Sequence, residues 1–172
     1  MMRHHPATIR AELVRIAGQE FKGQAFDLRL YVDGDFSSLG DVAFWMEALQ
    51  QLPSCQAYGY SKSFAELLAY QATGASWPKN YRLNISSGHA HDADTVAQVQ
   101  ALPIARGTFE AIAIGRKVRG TDHGTRETSQ AVRAAAGKKV FVCPGKCGSC
   151  TPSGHACGSA KFQGIAIAIA MH

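Results

Sequence analysis

Long apolar runs are missing from this chain of 172 residues. No stretch reaches the roughly 18 consecutive apolar residues of a membrane-spanning helix, and the opening MMRHHPATIR lacks the hydrophobic segment of a secretory signal. Both absences predict a cytoplasmic protein with no membrane partner. Charge is scarce too: Asp, Glu, Lys and Arg make up 18% of the chain, against about a quarter in ordinary globular domains. Disorder needs many charges and few apolar residues. With 46% hydrophobic residues, disorder is expected only at the termini, where His4-His5 reads as an unstructured end. Signatures of familiar reactions are absent as well. There is no phosphate loop, no nucleophile elbow and no Ser–His pairing, so no catalytic residue is named.

The length suits one domain with a single core. A net charge of +5 suits a phosphate-bearing partner, yet the Lys and Arg residues are spread along the chain, and the densest group is Arg116, Lys117 and Arg119. Nucleic acid binding is compatible with that pattern and not demanded by it.

Apolar spacing divides the chain into units. Residues 1–25 hold a helix with Ile9, Leu13 and Ile16 on one face and Thr8 as its N-cap. From 26 to 142, strands alternate with helices. Phe26–Val32 is a strand broken by Asp33-Gly34-Asp35. Ser38 caps a helix carrying Val42, Trp45, Met46 and Leu49, which Pro53 ends. Gln56–Tyr60 is the second strand, and Ser63-x-x-Glu66 is a capping box for a helix closed at Gly74. Tyr81–Ile85 and Phe109–Ile114 are the third and fourth strands, with a short helix between them capped by Asp92. Thr125–Ala136 is a helix stopped at Gly137, and Lys138–Val142 is the fifth strand. A cysteine-rich loop fills 143–158, and 159–172 ends in a strand with Ile on one face and Ala on the other. This alternation predicts an α/β fold: a mostly parallel sheet of five or six strands with flanking helices, an open sheet or a partial barrel. The last strand needs cover on both faces, from the sheet or from a second subunit in a homodimer.

Cysteine is concentrated rather than scarce. Four of the five fall in Cys143-x3-Cys147-x2-Cys150-x6-Cys157, in a stretch where Pro144, Gly145, Gly148, Pro152, Gly154 and Gly158 deny regular structure. Without an export signal, such clustering points to metal ligation rather than disulfides. Thiolates are soft donors that suit a tetrahedral zinc or a 4Fe-4S cluster, and spacing does not separate the two. His155 can replace Cys157 in a Cys3His set. The first three cysteines match the spacing of the radical S-adenosylmethionine cluster motif. They depart from it by lying after the last βα unit, by having Ser149 where an aromatic residue is usual, and by the extra ligand. Cys55 stands alone and reads as a small buried residue near a strand.

Ligands of parallel α/β folds bind at the carboxyl ends of the strands. That rule gathers Asp33 and Asp35, Lys62, Ser87 and His89, and Cys143 on one rim. The null alternatives are an Asp-Gly-Asp turn, a solvated lysine, and turn and cap chemistry around His89-x-His91-Asp92.

The segments Leu28–Phe36, Tyr58–Ser63, Asn80–Leu83 and Val142-Cys143-Pro144 together resemble the phage gene product 88 family over residues 26 to 157. Longer members carry a further cysteine group upstream of the first shared strand, so this chain looks like a shortened relative. The resemblance implies the fold and a phage or mobile-element source, hence a host-cell cytoplasm, and no settled reaction. Two functions are expected to compete. One is a metal- or iron–sulfur-binding protein with its site on the rim. The other is a zinc-stabilised module or inhibitor that docks on nucleic acid or a host protein.

Overall fold

The computed structural model describes residues 5–148, 150–151 and 154–171. Ser149, the residue before the third cysteine, and His4 lie outside the described residues. The strands are β1 (Phe26–Leu30), β2 (Cys55–Ser61), β3 (Tyr81–Ser86), β4 (Ala105–Ile112), β5 (Val140–Val142) and β6 (Ala166–Ala170). The helices are α1 (Pro6–Gln19), α2 (Leu39–Gln50), α3 (Phe64–Ala72), α4 (Ala93–Gln100) and α5 (Arg126–Ala136). The strands form one open sheet in the order β1-β2-β3-β4-β6-β5, and every neighbouring pair is parallel. The α/β expectation with a parallel sheet therefore holds.

The topology follows from the handedness of crossovers. Parallel strands are joined by right-handed connections, so successive steps in one direction put their helices on one face. From β1 to β4, and on to β5, the chain steps one way. Accordingly α2, α3 and α4 place Val42, Met46, Leu49, Phe64, Leu67 and Val99 in one core with Leu30, Ala57, Leu83 and Ile85. Val132 of α5 packs with Val140, Val142 and Ala168 farther along. Register puts Ile85 opposite Thr108, and Val142 opposite Ala168, so both clusters share a face. The last connection steps back by one strand to place β6 between β4 and β5. The same rule sends that connection to the opposite face, where Ala156 and Cys157 pack on Tyr58 and Ile167.

Local chemistry sets most helix starts. The side chains of Ser38, Asp92 and Thr125 accept from the backbone N–H three residues on, as N-caps do. Ser63 occupies the cap position of α3 but makes no cap bond. Its hydroxyl instead donates to Phe36 O at 2.7 Å, tying α3 to the loop after β1. The first helix begins at Pro6 with His5 at the N-cap position, not at Thr8, because proline is pre-set for the first helical turn. His5 is thus part of a helix start. β1 stops at Leu30 because Tyr31 turns to a positive φ of 53°, leaving Val32 71% exposed. β4 begins at Ala105, ahead of Phe109, through a register shift next to Gly107. Cys55 is fully buried. The last strand finds its cover within the chain: β6 bonds to β4 and β5 on its two edges, so a homodimer cannot form by strand addition to it.

Candidate metal centre and adjoining cleft

Cys143 follows β5 directly, and its N–H donates to Ala168 O at 2.8 Å. Glycines and prolines then carry the chain over the sheet without regular structure. Cys157 arrives buried in a short 3-10 turn, Ala156–Gly158, against Tyr58 and Ile167. Cys143 and Cys150 are half-buried beside it, together with Tyr60, Phe109, Phe141 and Phe162. Cys147 is the exposed member, and all five cysteines are free thiols.

Three of the four sulfurs accept a hydrogen bond, each from a different donor. Cys147 accepts from Arg29 Nη1 at 3.3 Å, Cys150 from the Ala156 N–H at 3.4 Å, and Cys157 from the Tyr60 hydroxyl at 2.8 Å, while at Cys143 the backbone N–H of Gly145 acts to lower the pKa. A thiol is a weak acceptor, and outer donors of this kind serve sulfur best as thiolate. Burial pushes the Cys157 thiol up to about 11 and raises Cys143 as well. The neighbouring thiols work in the same direction, opposed by Arg29 at Cys143 and by Arg106 at Cys157. Cys143 is raised by Cys150 and Cys147, and Cys157 by Cys143 and Cys150. The sulfurs therefore sit within electrostatic reach of one another, and a cation is what would let them ionise together. Among the described residues no three Cys, His, Asp or Glu side chains stand ready as a metal-holding group. The thiols are gathered without being closed on a centre. Their donor chemistry fits zinc or an iron–sulfur cluster.

His155 is occupied elsewhere. Its Nδ1 accepts from the Gly158 N–H at 3.1 Å, its Nε2 lies 3.3 Å from Asp27 Oδ2, and its ring packs on Tyr58. It caps the turn that presents Cys157. Beneath that turn, Arg106 is fully buried with only neutral acceptors. Its Nε donates to Asn84 Oδ1 at 2.6 Å, and its other nitrogens donate to the carbonyls of Phe162, Ile165 and Thr108. Asn84 in turn donates to Cys157 O at 3.0 Å and Gly59 O at 3.1 Å. Burial lowers the Arg106 pKa, and charge on Cys157 and Tyr60 opposes that. Below the cysteines, the buried cation thus has no carboxylate among its hydrogen-bond partners.

A cleft of about 560 Å³ opens at the carboxyl ends of the strands, with Cys143, Gly145 and Cys147 in its wall. Arg29, Tyr60, Ser86, Phe109 and Ile169 line it from the sheet, and Tyr31, Val32, Gly34, Asp35 and Lys62 from the loops. Of the expected rim residues, Asp35 and Lys62 reach it. Asp35 is a clamp: Oδ1 accepts from the Phe36 N–H and the Ser61 hydroxyl, and Oδ2 from the Lys62 N–H at 2.6 Å. Asp33 is exposed outside the cleft. Ser87 accepts from the Ala111 N–H, extending the β3–β4 pairing, while His89 packs on Phe64. Both line a separate hollow with Glu110. Tyr60 and Ser86 belong to the strand-end loops that the rim rule gathers, whereas Arg29, Tyr31 and Phe109 were not singled out from sequence.

No helix among the described residues is long and apolar enough to cross a membrane. The sequence model of the family described as gene product 88 matches residues 2–163. Neither the curated proteins nor the solved structures give a match.

Proposed function

This chain belongs to the gene product 88 family, and we propose that it binds an iron–sulfur cluster through Cys143, Cys147, Cys150 and Cys157 at the carboxyl-end rim of its sheet. The observation that carries the proposal is the separate hydrogen-bond donor at three of the four gathered sulfurs. Hydrogen bonds to sulfur, burial and nearby charge are the means by which a protein sets a cluster's potential. Two cations suit a cluster, which unlike zinc takes on a further negative charge when reduced. Arg29 donates to Cys147 while lying over the Tyr60 ring at 5.0 Å, and Arg106 is buried below Cys157 with no carboxylate partner. Both offset the negative charge of a four-thiolate cluster. When bound, the cluster would supply one-electron transfer; the chain holds its ligands, excludes water with Tyr58, Phe141 and Phe162, and leaves an open cleft on one side.

Zinc is the second reading, favoured by a Gly- and Pro-rich segment that builds little core of its own. Anaerobic purification followed by metal analysis and a visible spectrum separates the two. Brown protein with iron and sulfide, losing its colour in Cys147→Ser, is expected. Colourless protein with stoichiometric zinc would overturn the cluster.

A further inference from the structure

The cleft beside the cysteines carries its own evidence of a ligand. Its volume of about 560 Å³ lies within the range of small-molecule sites. Two cations in its wall have no carboxylate partner among the described residues. Arg29 commits Nη1 to Cys147, but its Nε is shut away from solvent and donates to nothing. Lys62 lines the same cleft without an ion pair among the described residues, its ammonium lying beside Gly88. Asp35, the carboxylate of the described lining, already accepts three hydrogen bonds from its own loops, so it holds the two loops together rather than neutralising the cations. Three aromatic residues share the rest of the wall with Val32, Ile169 and the cysteine segment. Tyr60 and Phe109 meet edge to face at 4.7 Å, and Tyr31 stands beside them in a left-handed conformation, with φ of 53°. A bulky side chain rarely takes that conformation, and such outliers gather at binding sites.

We propose that this cleft binds a small anion bearing a planar ring, a nucleoside monophosphate or an aryl carboxylate, with the anionic group on Arg29 and Lys62 and the ring against Tyr31, Tyr60 and Phe109. An anion would pair with the guanidinium and the ammonium by charge-assisted bonds, and aromatic walls favour a flat partner. The ligand would lie against Cys143 and Cys147, and the assignment holds whether or not the thiols carry metal.

Calorimetric titration of the anaerobically purified protein tests it with four probes: AMP, indole-3-acetate, adenosine and ribose 5-phosphate. Saturable binding of AMP or indole-3-acetate is expected, and which of the two binds distinguishes phosphate from carboxylate. Adenosine, without the anion, and ribose 5-phosphate, without the ring, should bind about tenfold more weakly or worse, the effect of roughly one lost charge-assisted bond. Lys62→Ala, at an exposed position, should weaken the anionic probe by a similar factor and leave adenosine unchanged. Three results would each overturn the proposal: no saturable binding of either ring-bearing anion, adenosine binding as tightly as AMP, or unchanged affinity in Lys62→Ala. A colourless zinc protein that still binds the probe removes the cluster and keeps the cleft. A brown protein that ignores every probe does the reverse.

Discussion

Tyr31 occupies a conformation that costs a residue of its size about 1–3 kcal/mol. Its hydroxyl accepts from Trp45 Nε1 at 3.2 Å, and its ring meets Phe36 edge-on. Those contacts from α2 and the following loop hold the strained residue in the cleft wall. Cys55 illustrates the opposite role, a side chain whose contribution is burial alone. Burial, with a smaller effect of Asp27, pushes its thiol from the ordinary 9.0 up to about 12. Between those values the folded chain keeps a proton that the unfolded chain loses, so Cys55 makes stability fall as pH rises from about 9 towards 12. Thermal melts across that window should show a shallower decline in Cys55→Ala than in the parent; equal slopes would refute the assignment. Gly145 matters through space and backbone together. Its φ is +77°, and a Cβ there would meet His123 side-chain atoms at 2.7 Å. Gly145→Ala should therefore displace the backbone N–H that acts on Cys143 and lower metal content per chain, with the fold intact by circular dichroism.

Helix starts were readable wherever the cap lay within one turn. Ser38, Asp92 and Thr125 bond to N–H groups three residues away, so their roles are written locally. Ser63 has the same local pattern, yet its hydroxyl goes to Phe36, which lies 27 residues earlier. The capping box lost to a tertiary partner. Ser38→Ala should accordingly cost about 1 kcal/mol through loss of a cap. Ser63→Ala should act instead on the loop after β1, and hydrogen exchange of the Asp35–Ser38 amides would tell the two apart. The strands explain what remained hidden in the site. Arg29, Tyr58 and Asn84 alternate with core residues, and such positions read as a solvated face. In the structure that face is covered by the 143–165 connection, and the aromatic ring of Tyr58 was the signal available. Asp35, Lys62 and Cys143, which the rim rule gathers from where strands end, line the cleft. Asp33, Ser87 and His89 also follow strand ends without lining it, because their side chains are directed by turn geometry that spacing does not encode.

The whole sheet has its two free edges at β1 and β5, while β6 is paired on both sides although it follows β5 in the chain. Protection against hydrogen exchange should therefore be strongest in β2, β3 and β6 and weakest in α1 and β1, since paired inner strands open only with the global transition. Fast exchange throughout β6 would contradict this order. Strand count, parallel pairing and helix positions were legible because each rests on periodicity. The strand order was not, since nothing local announces that the last strand steps back. That backward step also has a temporal side. An inner strand that comes later in sequence than both its neighbours cannot complete the sheet until a gap has been held open for it, and the contacts that close the gap are distant in sequence and slow to form. The cysteine segment is the tether on which that strand arrives. Until β6 docks, the four thiols are open to solvent; once it docks, the buried Cys157 is sealed beneath its turn. Were the proposed metal to bind there, its loading and the final step of folding would compete for the same short stretch of chain.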